Sequence, residues 1–248
     1  MSAVTDHFGL AWWRGRLASL GALLAVRPPE ELAIMPLDAA VAALGHRGEV
    51  DLGRQEVHLA HVVGTQARAE DFDRDFRPRS RLLRHRWEAA AACPADRPVD
   101  LVRLGDLHFV VDGHHRVSVA KSRGFPTIEA RVRQILTVAF GMACLRLIHL
   151  ASKNAERQFL ERVPLPEDVR PGLWLDNPAD WARLADAAEA WGYRQALAGR
   201  RLDRRALAEA WWTEEVQPLV RERRADTRYD IETYCEAVLP RTTRSAMV

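Results

Sequence analysis

At 248 residues, with 48% hydrophobic and 28% charged residues, the chain has the composition of a globular protein that buries a core in one large or two modest domains. Its formal charge of +2 is close to neutral, which excludes a general attraction to nucleic acid and leaves that role only to local basic patches. Three widely spaced cysteines, Cys93, Cys144 and Cys235, carry no CxxC spacing, so neither a disulfide framework nor a zinc site is indicated and a reducing cytoplasm is the expected compartment.

From the N-terminus, Leu10, Trp13, Leu17, Leu20 and Leu24 recur at three- and four-residue steps and predict an amphipathic helix facing the core or a partner. Arg14 and Arg16 before the apolar run Leu17 to Val26 imitate a signal peptide, but no small-residue cleavage site follows and Arg27-Pro28-Pro29 ends the run. Ten apolar residues are too few for a bilayer, which takes about 20, so no membrane partner is expected. Leu37 to Leu44 predicts a short helix stopped by Gly45, and Glu56 to Val63 a strand ended by a turn at Gly64 and Thr65.

The segment from Arg68 to Phe76 is expected as an ordered loop in which Asp71 and Asp73 flank Phe72. Two carboxylates so placed suit a magnesium ion held jointly with phosphate oxygens, or a base for a substrate hydroxyl. Ion pairing with Arg68, Arg74 or Arg77 explains them equally well. Seven arginines (68, 74, 77, 79, 81, 84 and 86) run along this region, with Leu83, Trp87 and Ala90 at helical spacing opposite them. Such a basic face serves phosphate contact or simple solvation.

Val99 to Arg103 and Leu107 to Val111 predict a hairpin, and Ile128, Ala130 and Val132 a further strand; Phe109 and Val111 are expected to alternate into the core, leaving the polar box Asp112 to Arg116 at the sheet edge. Beyond Gln134 the expected elements are helical: Leu136 to Leu160, a proline-punctuated link over Val163 to Pro171, the stripe Trp181, Leu184, Ala188 and Trp191, and a helix over Asp203 to Arg224 that Pro218 kinks or ends. No helix-turn-helix is legible over Leu136 to Leu160. The six tryptophans from Trp87 onward read as packing residues. Arginines of this region, from Arg194 to Arg228, alternate with acids.

Chemistry concentrates at Val110 to Gly124, VVDGHHRVSVAKSRG: a strand, a glycine turn and a helix start. The first turn of a helix holds amides without intrahelical partners and carries partial positive charge, so it receives anions, phosphate above all. Gly113 allows a sharp turn and Arg116 offers a two-pronged donor, while Asp112 suits either a cap or a catalytic role and His114 and His115 either the site or the core. Neither a Walker loop nor a GxGxxG fingerprint is present.

This box, with HVVGTQARAEDFDRDFRP upstream and TIEARV downstream, resembles the N-terminal domain of the ParB/sulfiredoxin superfamily, in particular bacterial ParB-like proteins with a DGHHR box, over about Val57 to Arg133. Gly113, His114, His115 and Arg116 fall where partition ParB proteins carry GERR and sulfiredoxins GCHR; His114 stands in place of the sulfiredoxin cysteine, so that chemistry is not expected. A looser similarity extends to Trp211-Trp212, Gln217 to Val220 and Thr227 to Tyr234 in the tail.

The resemblance implies an α+β fold: a small mixed-sheet domain over residues 51–135, flanked by an N-terminal helical segment (1–50) and a mostly helical C-terminal region (136–248). It implies a nucleotide, ATP, ADP or CTP with Mg2+, held by Gly113, His114, His115, Arg116, Ser118, Gly64, Thr65 and Arg68, with Asp71, Asp73 and Asp112 as the candidate catalytic acids. The function it implies is that of a ParB-like nucleotide-binding protein, a regulatory or DNA-associated switch with DNA on arginine-rich surfaces and a homodimeric state. The alternatives are a small-molecule phosphotransferase like the ADP-dependent free serine kinases and a non-catalytic interaction scaffold.

Overall fold

A computed structural model of the chain describes residues 6–25, 31–92, 97–223 and 229–238. Pro28, Pro29, Cys93, Arg224, Thr227 and Arg228, which entered the sequence expectations, lie outside these residues. The strands are β1 Met35–Pro36, β2 His46–His58, β3 Val62–Thr65, β4 Val99–Leu104, β5 Leu107–Asp112 and β6 Thr127–Thr137. The helices are α1 His7–Leu24, α2 Leu37–Leu44, α3 Arg84–Ala92, α4 His114–Ser122, α5 Leu150–Arg162, α6 Pro178–Leu197, α7 Arg204–Trp211, α8 Gln217–Arg223 and α9 Asp230–Val238.

The expected α+β class holds: six strands form one mixed sheet in the order β1-β3-β5-β4-β6-β2. β3 runs parallel to β1 and β5, the β4–β5 hairpin is antiparallel, β6 lies parallel to β4, and β2 closes the far edge antiparallel to β6. One face of the sheet carries Val62, Val99, Leu101, Val110, Ala130 and Val132, packed with Val117 and Ala120 of α4, Trp87 of α3, and Phe72 and Phe76 of the loop after β3. The 13-residue edge strand β2 is guarded against further pairing by Glu49, Asp51, Arg54 and Glu56 and by irregularities at His46/Gly48 and Asp51/Gly53.

The chain divides into two compact units, Met1–Thr137 with Gly141–Leu150, and Val138–Phe140 with Ala151–Val248. The boundary expected between residues 50 and 51 falls inside β2, because that strand already starts at His46. β2 also ends at His58, where a short helical turn, Leu59–His61, separates it from β3; the single strand expected over Glu56 to Val63 is therefore two. Nor is Leu136 to Leu160 one helix, since β6 runs to Thr137 and helix resumes only at Leu147–His149 and α5.

Burial corrects one further expectation and narrows another, leaving the stripe of the first helix its partner-facing reading. Phe109 and Val110 are fully buried while Val111 is 37% exposed, because β5 is an interior strand covered on both faces until its last two residues. The box accordingly follows an interior strand and not an edge. In α1, Phe8 and Ala11 are the buried residues, whereas Leu10, Trp13, Leu17, Leu20 and Leu24 face outward.

In the second unit, α6 buries Trp181, Leu184, Ala188 and Trp191, the stripe read from the sequence. Phe159 packs on Trp181 and Trp211, and Trp211 on Tyr234. Pro218 does not break the last long helix: the chain widens into a π-helix over Trp212–Val216 and then resumes as α8. A proline lacks the N–H for the regular ladder and crowds the carbonyl four residues earlier, and the wider turn relieves both.

Lys153 and Glu156 form a fully buried ion pair at 2.6 Å, with the ammonium 5.6 Å from the centre of the Trp174 ring. Burial pushes the Glu156 carboxyl up to about 7 in spite of the lysine. Truncating one partner strands the other charge in the core, so Glu156→Ala should lower the unfolding free energy by about 3–5 kcal/mol, whereas the paired replacement Lys153→Met with Glu156→Leu should restore most of it. Urea denaturation of the three proteins is the check.

Candidate functional site

The parallel strands β3 and β5 end side by side, Thr65 opposite Val110, and α4 begins two residues beyond. The connection is Gly113, at φ +95° and ψ 21°. A side chain there is excluded twice. The torsion is in the left-handed region, and a Cβ would lie 2.6 Å from Val99 Cγ1 and 2.9 Å from Arg116 Nη2. The first intrahelical hydrogen bond runs from Val117 N to Gly113 O, so the amides of His114, His115 and Arg116 belong to the unsatisfied first turn.

A cleft of about 420 Å³ opens over this turn. Asp112 to Arg116 form one wall, Ala67, Arg68 and Val111 a second, and Arg86, Ala89 and Ala90 of α3 with Arg97 the third. Four arginines thus face one carboxylate across it. No side-chain partner is recorded for Arg86 or Arg97 among the described residues, and both are exposed. Arg68 holds a left-handed backbone, φ +63°, with its guanidinium 3.3 Å from His115 Nε2 and 3.8 Å from Asp71.

Arg116 lines the cleft but is already engaged. Its Nη1 donates to the carbonyls of Arg97 and Pro98 at 2.5 and 2.9 Å, and Nη2 to Asp112 at 3.1 Å. It clamps the α4 start to the segment before β4, and Arg68, Arg86 and Arg97 are left as the freer cations.

His114 is buried under the turn. Its Nε2 lies 2.7 Å from Thr65 Oγ1, whose own hydroxyl donates to the Ala67 carbonyl, and its ring stacks on Phe72 at 15°. Burial first, and the nearby Arg68 second, draw its pKa down to about 4. His115, edge-on to the same Phe72 ring, is lowered for the same two reasons, and its Nδ1 has no hydrogen-bond partner among the described residues. With both imidazoles neutral at physiological pH, the positive charge of the cleft comes from arginine.

The remaining sequence candidates separate. Asp71 does not line the cleft and touches it only through Arg68, 3.8 Å away. Asp73 is 6% exposed, accepts from the amides of Asp75 and Arg77, and pairs with Arg77 at 3.6 Å; burial raises its pKa. It supports the turn of its own loop, and the two acids do not converge on one point of the cleft. Ser118 sits beneath α3, accepting from the Trp87 indole at 2.9 Å. Gly64 is a packing glycine, since a Cβ there would meet the Phe109 ring at 2.3 Å. Thr65 acts through His114.

Arg97 was not singled out from the sequence, and Arg86 entered only as one of seven arginines along a basic face. Arg86 could have been found from its step to Ala89 and Ala90, which places small residues beside a cation on one helix face; Arg97 carries no local signal. No protein-family model matches this chain, and no curated protein and no solved structure matches it. Among the described residues, no helix is long and apolar enough to cross a membrane.

The histidines give the structure a signed pH dependence. His114 and His108 are both drawn down to about 4 by burial, below the ordinary 6.5 of the unfolded chain. The unfolded state therefore binds protons first as the pH drops, and the stability carried by each neutral ring is present above pH 6.5 and lost as the pH falls toward 4. The loss is about 3 kcal/mol for each ring. Denaturation midpoints at pH 7 and 4.5 should differ less in His114→Gln than in the wild type.

Proposed function

We propose that the cleft at the start of α4 binds the phosphate groups of a nucleotide and that its occupancy works as a regulatory switch toward a partner or DNA, as the resemblance to ParB-like proteins implies. The observation that carries this reading is the convergence on one turn of helix amides without a partner among the described residues and the cations of Arg68, Arg86 and Arg97. Arginine suits phosphate because its fork matches two oxygens at once. Gly113 sets the turn that presents these amides, because its left-handed torsion and the closeness of Val99 exclude a side chain there.

Beside the charged wall, Ala89, Ala90 and Val111 supply an apolar strip against which a base or sugar can lie. A Mg2+ ion would arrive with the phosphates, and Asp112 is the carboxylate among the cleft's lining residues. ATP, ADP and CTP share the chemistry this site recognises.

The divergence of Asp71 and Asp73 favours binding over phosphoryl transfer. A transfer mechanism needs a base and a metal ligand aimed at the same phosphate, and Asp73 spends both its oxygens on its own loop and Arg77.

Thermal melting with ATP, ADP, CTP or GTP, each with magnesium, and with inorganic phosphate as comparison, tests the reading. A cognate nucleotide at about a hundred times its Kd should add about 3 kcal/mol of stability. Arg68→Ala with Arg86→Ala should leave the apo melting point within about 1 °C, since both side chains are surface groups, and weaken binding by roughly 100-fold or more. Absence of any shift across the panel contradicts the proposal. Gly113→Ala should fail differently, losing about 1–3 kcal/mol in the apo state because both torsion and space exclude the methyl group.

A further inference from the structure

Helix α1 has two apolar faces on opposite sides. Phe8 and Ala11 are buried, Phe8 edge-on to Trp87, and Gly15 lies close to Arg77; Asp6 and Arg84 pair at 3.0 Å to fix the same end. At ~100° per residue these three positions share one side, while Leu10, Trp13, Leu17, Leu20 and Leu24 fall within an arc of about 80° on the other. The spacing of the second set is three, four, three, four, the repeat of a helix-pairing seam.

All five seam residues are exposed, Leu17 at 61% and Leu24 at 84%, with Leu23 beside them at 80%. Past Gly15 no residue of α1 is buried, and the helix has no charged residue after Arg16. A monomer in water gains nothing from such a surface. An in-plane membrane helix would carry a strongly charged opposite face, whereas here that face is Phe8, Ala11 and Gly15, already docked on the sheet unit.

We infer that α1 pairs through its outward Leu/Trp seam with α1 of a second copy of this chain, antiparallel, to form a two-fold dimer. The pairing is self-complementary, one seam on the same seam. Because the docked and free faces are opposed, each sheet unit lies on the outer side of its own helix. The six exposed side chains offer roughly 700 Å² per helix, close to the ~800 Å² per partner of a standard interface.

Charge selects the orientation. α1 holds Arg14 and Arg16 and no carboxylate. A parallel pair would stack four guanidinium groups at one level. Antiparallel pairing, with Leu17 facing the other copy's Leu20, separates the two arginine pairs by roughly 10 Å along the axis, beyond the ~8 Å screening length at physiological salt.

Light scattering and sedimentation equilibrium on the full chain at tens of micromolar should give a dimer, and Leu17→Glu with Leu20→Glu a monomer with unchanged circular dichroism. A wild type that is monomeric throughout this range, or a double variant that stays dimeric, overturns the inference. So does a monomer that instead floats with anionic phospholipid vesicles, which would assign the face to a lipid surface. Under mild oxidation, Trp13→Cys with Leu24→Cys in one chain should link two copies, because the antiparallel register places these positions opposite each other. Cross-linking of the Leu24→Cys single variant would mean a parallel pair and refute the stated geometry.

Discussion

The site depends on the chain reversing at Gly113 with a left-handed torsion while Val99 presses against its Cα. That one constraint aims the first turn of α4 outward from the ends of β3 and β5, so amides that would otherwise be buried against strands face a cleft. Any residue with a Cβ would force the turn away from Val99 and swing the helix start with it. The cations around the cleft come from three separate segments, Arg68 from the loop after β3, Arg86 from α3 and Arg97 from the approach to β4, and they meet only because the turn holds its place.

Packing behind the turn makes it rigid. Phe72 contacts both imidazoles, Thr65 ties His114 to the end of β3, and the Trp87–Ser118 hydrogen bond locks α3 to α4. Arg116 adds a clamp of three hydrogen bonds from the outside. The division of labour follows from burial: His114 and His115 are held neutral beneath the turn, Arg116 is spent on the clamp, and Arg86 and Arg97 are the exposed cations of the cleft. Ligand charge would therefore meet guanidinium groups, whose planar fork matches two oxygens at once.

Much of the fold was legible because its signals are local. Gly45 stops α2 where its φ of +78° requires glycine, the turn at residues 105–106 joins β4 to β5, and the tryptophan stripe of α6 is buried as its spacing indicated. What sequence could not carry was set by neighbours distant in the chain. Val111 is exposed because the cleft opens at the end of β5, and residues 138–146 are irregular although their apolar content imitates a helix. Within the site, Gly113 and Arg116 were legible from the box itself. Ser118 and Asp73 were not excluded by pattern, since only the tertiary placement of Trp87 and Arg77 shows where their oxygens are used.

The account stands on the amides of the α4 first turn being the groups that meet a phosphate. Proton–nitrogen correlation spectra recorded through a titration with a magnesium nucleotide read those amides individually. The account predicts saturable downfield shifts of the His114, His115 and Arg116 amide protons, with the largest changes confined to these and to the Arg68 and Arg86 neighbourhoods. A titration that saturates with its shifts elsewhere, or that leaves these three signals unmoved at millimolar nucleotide, would contradict it.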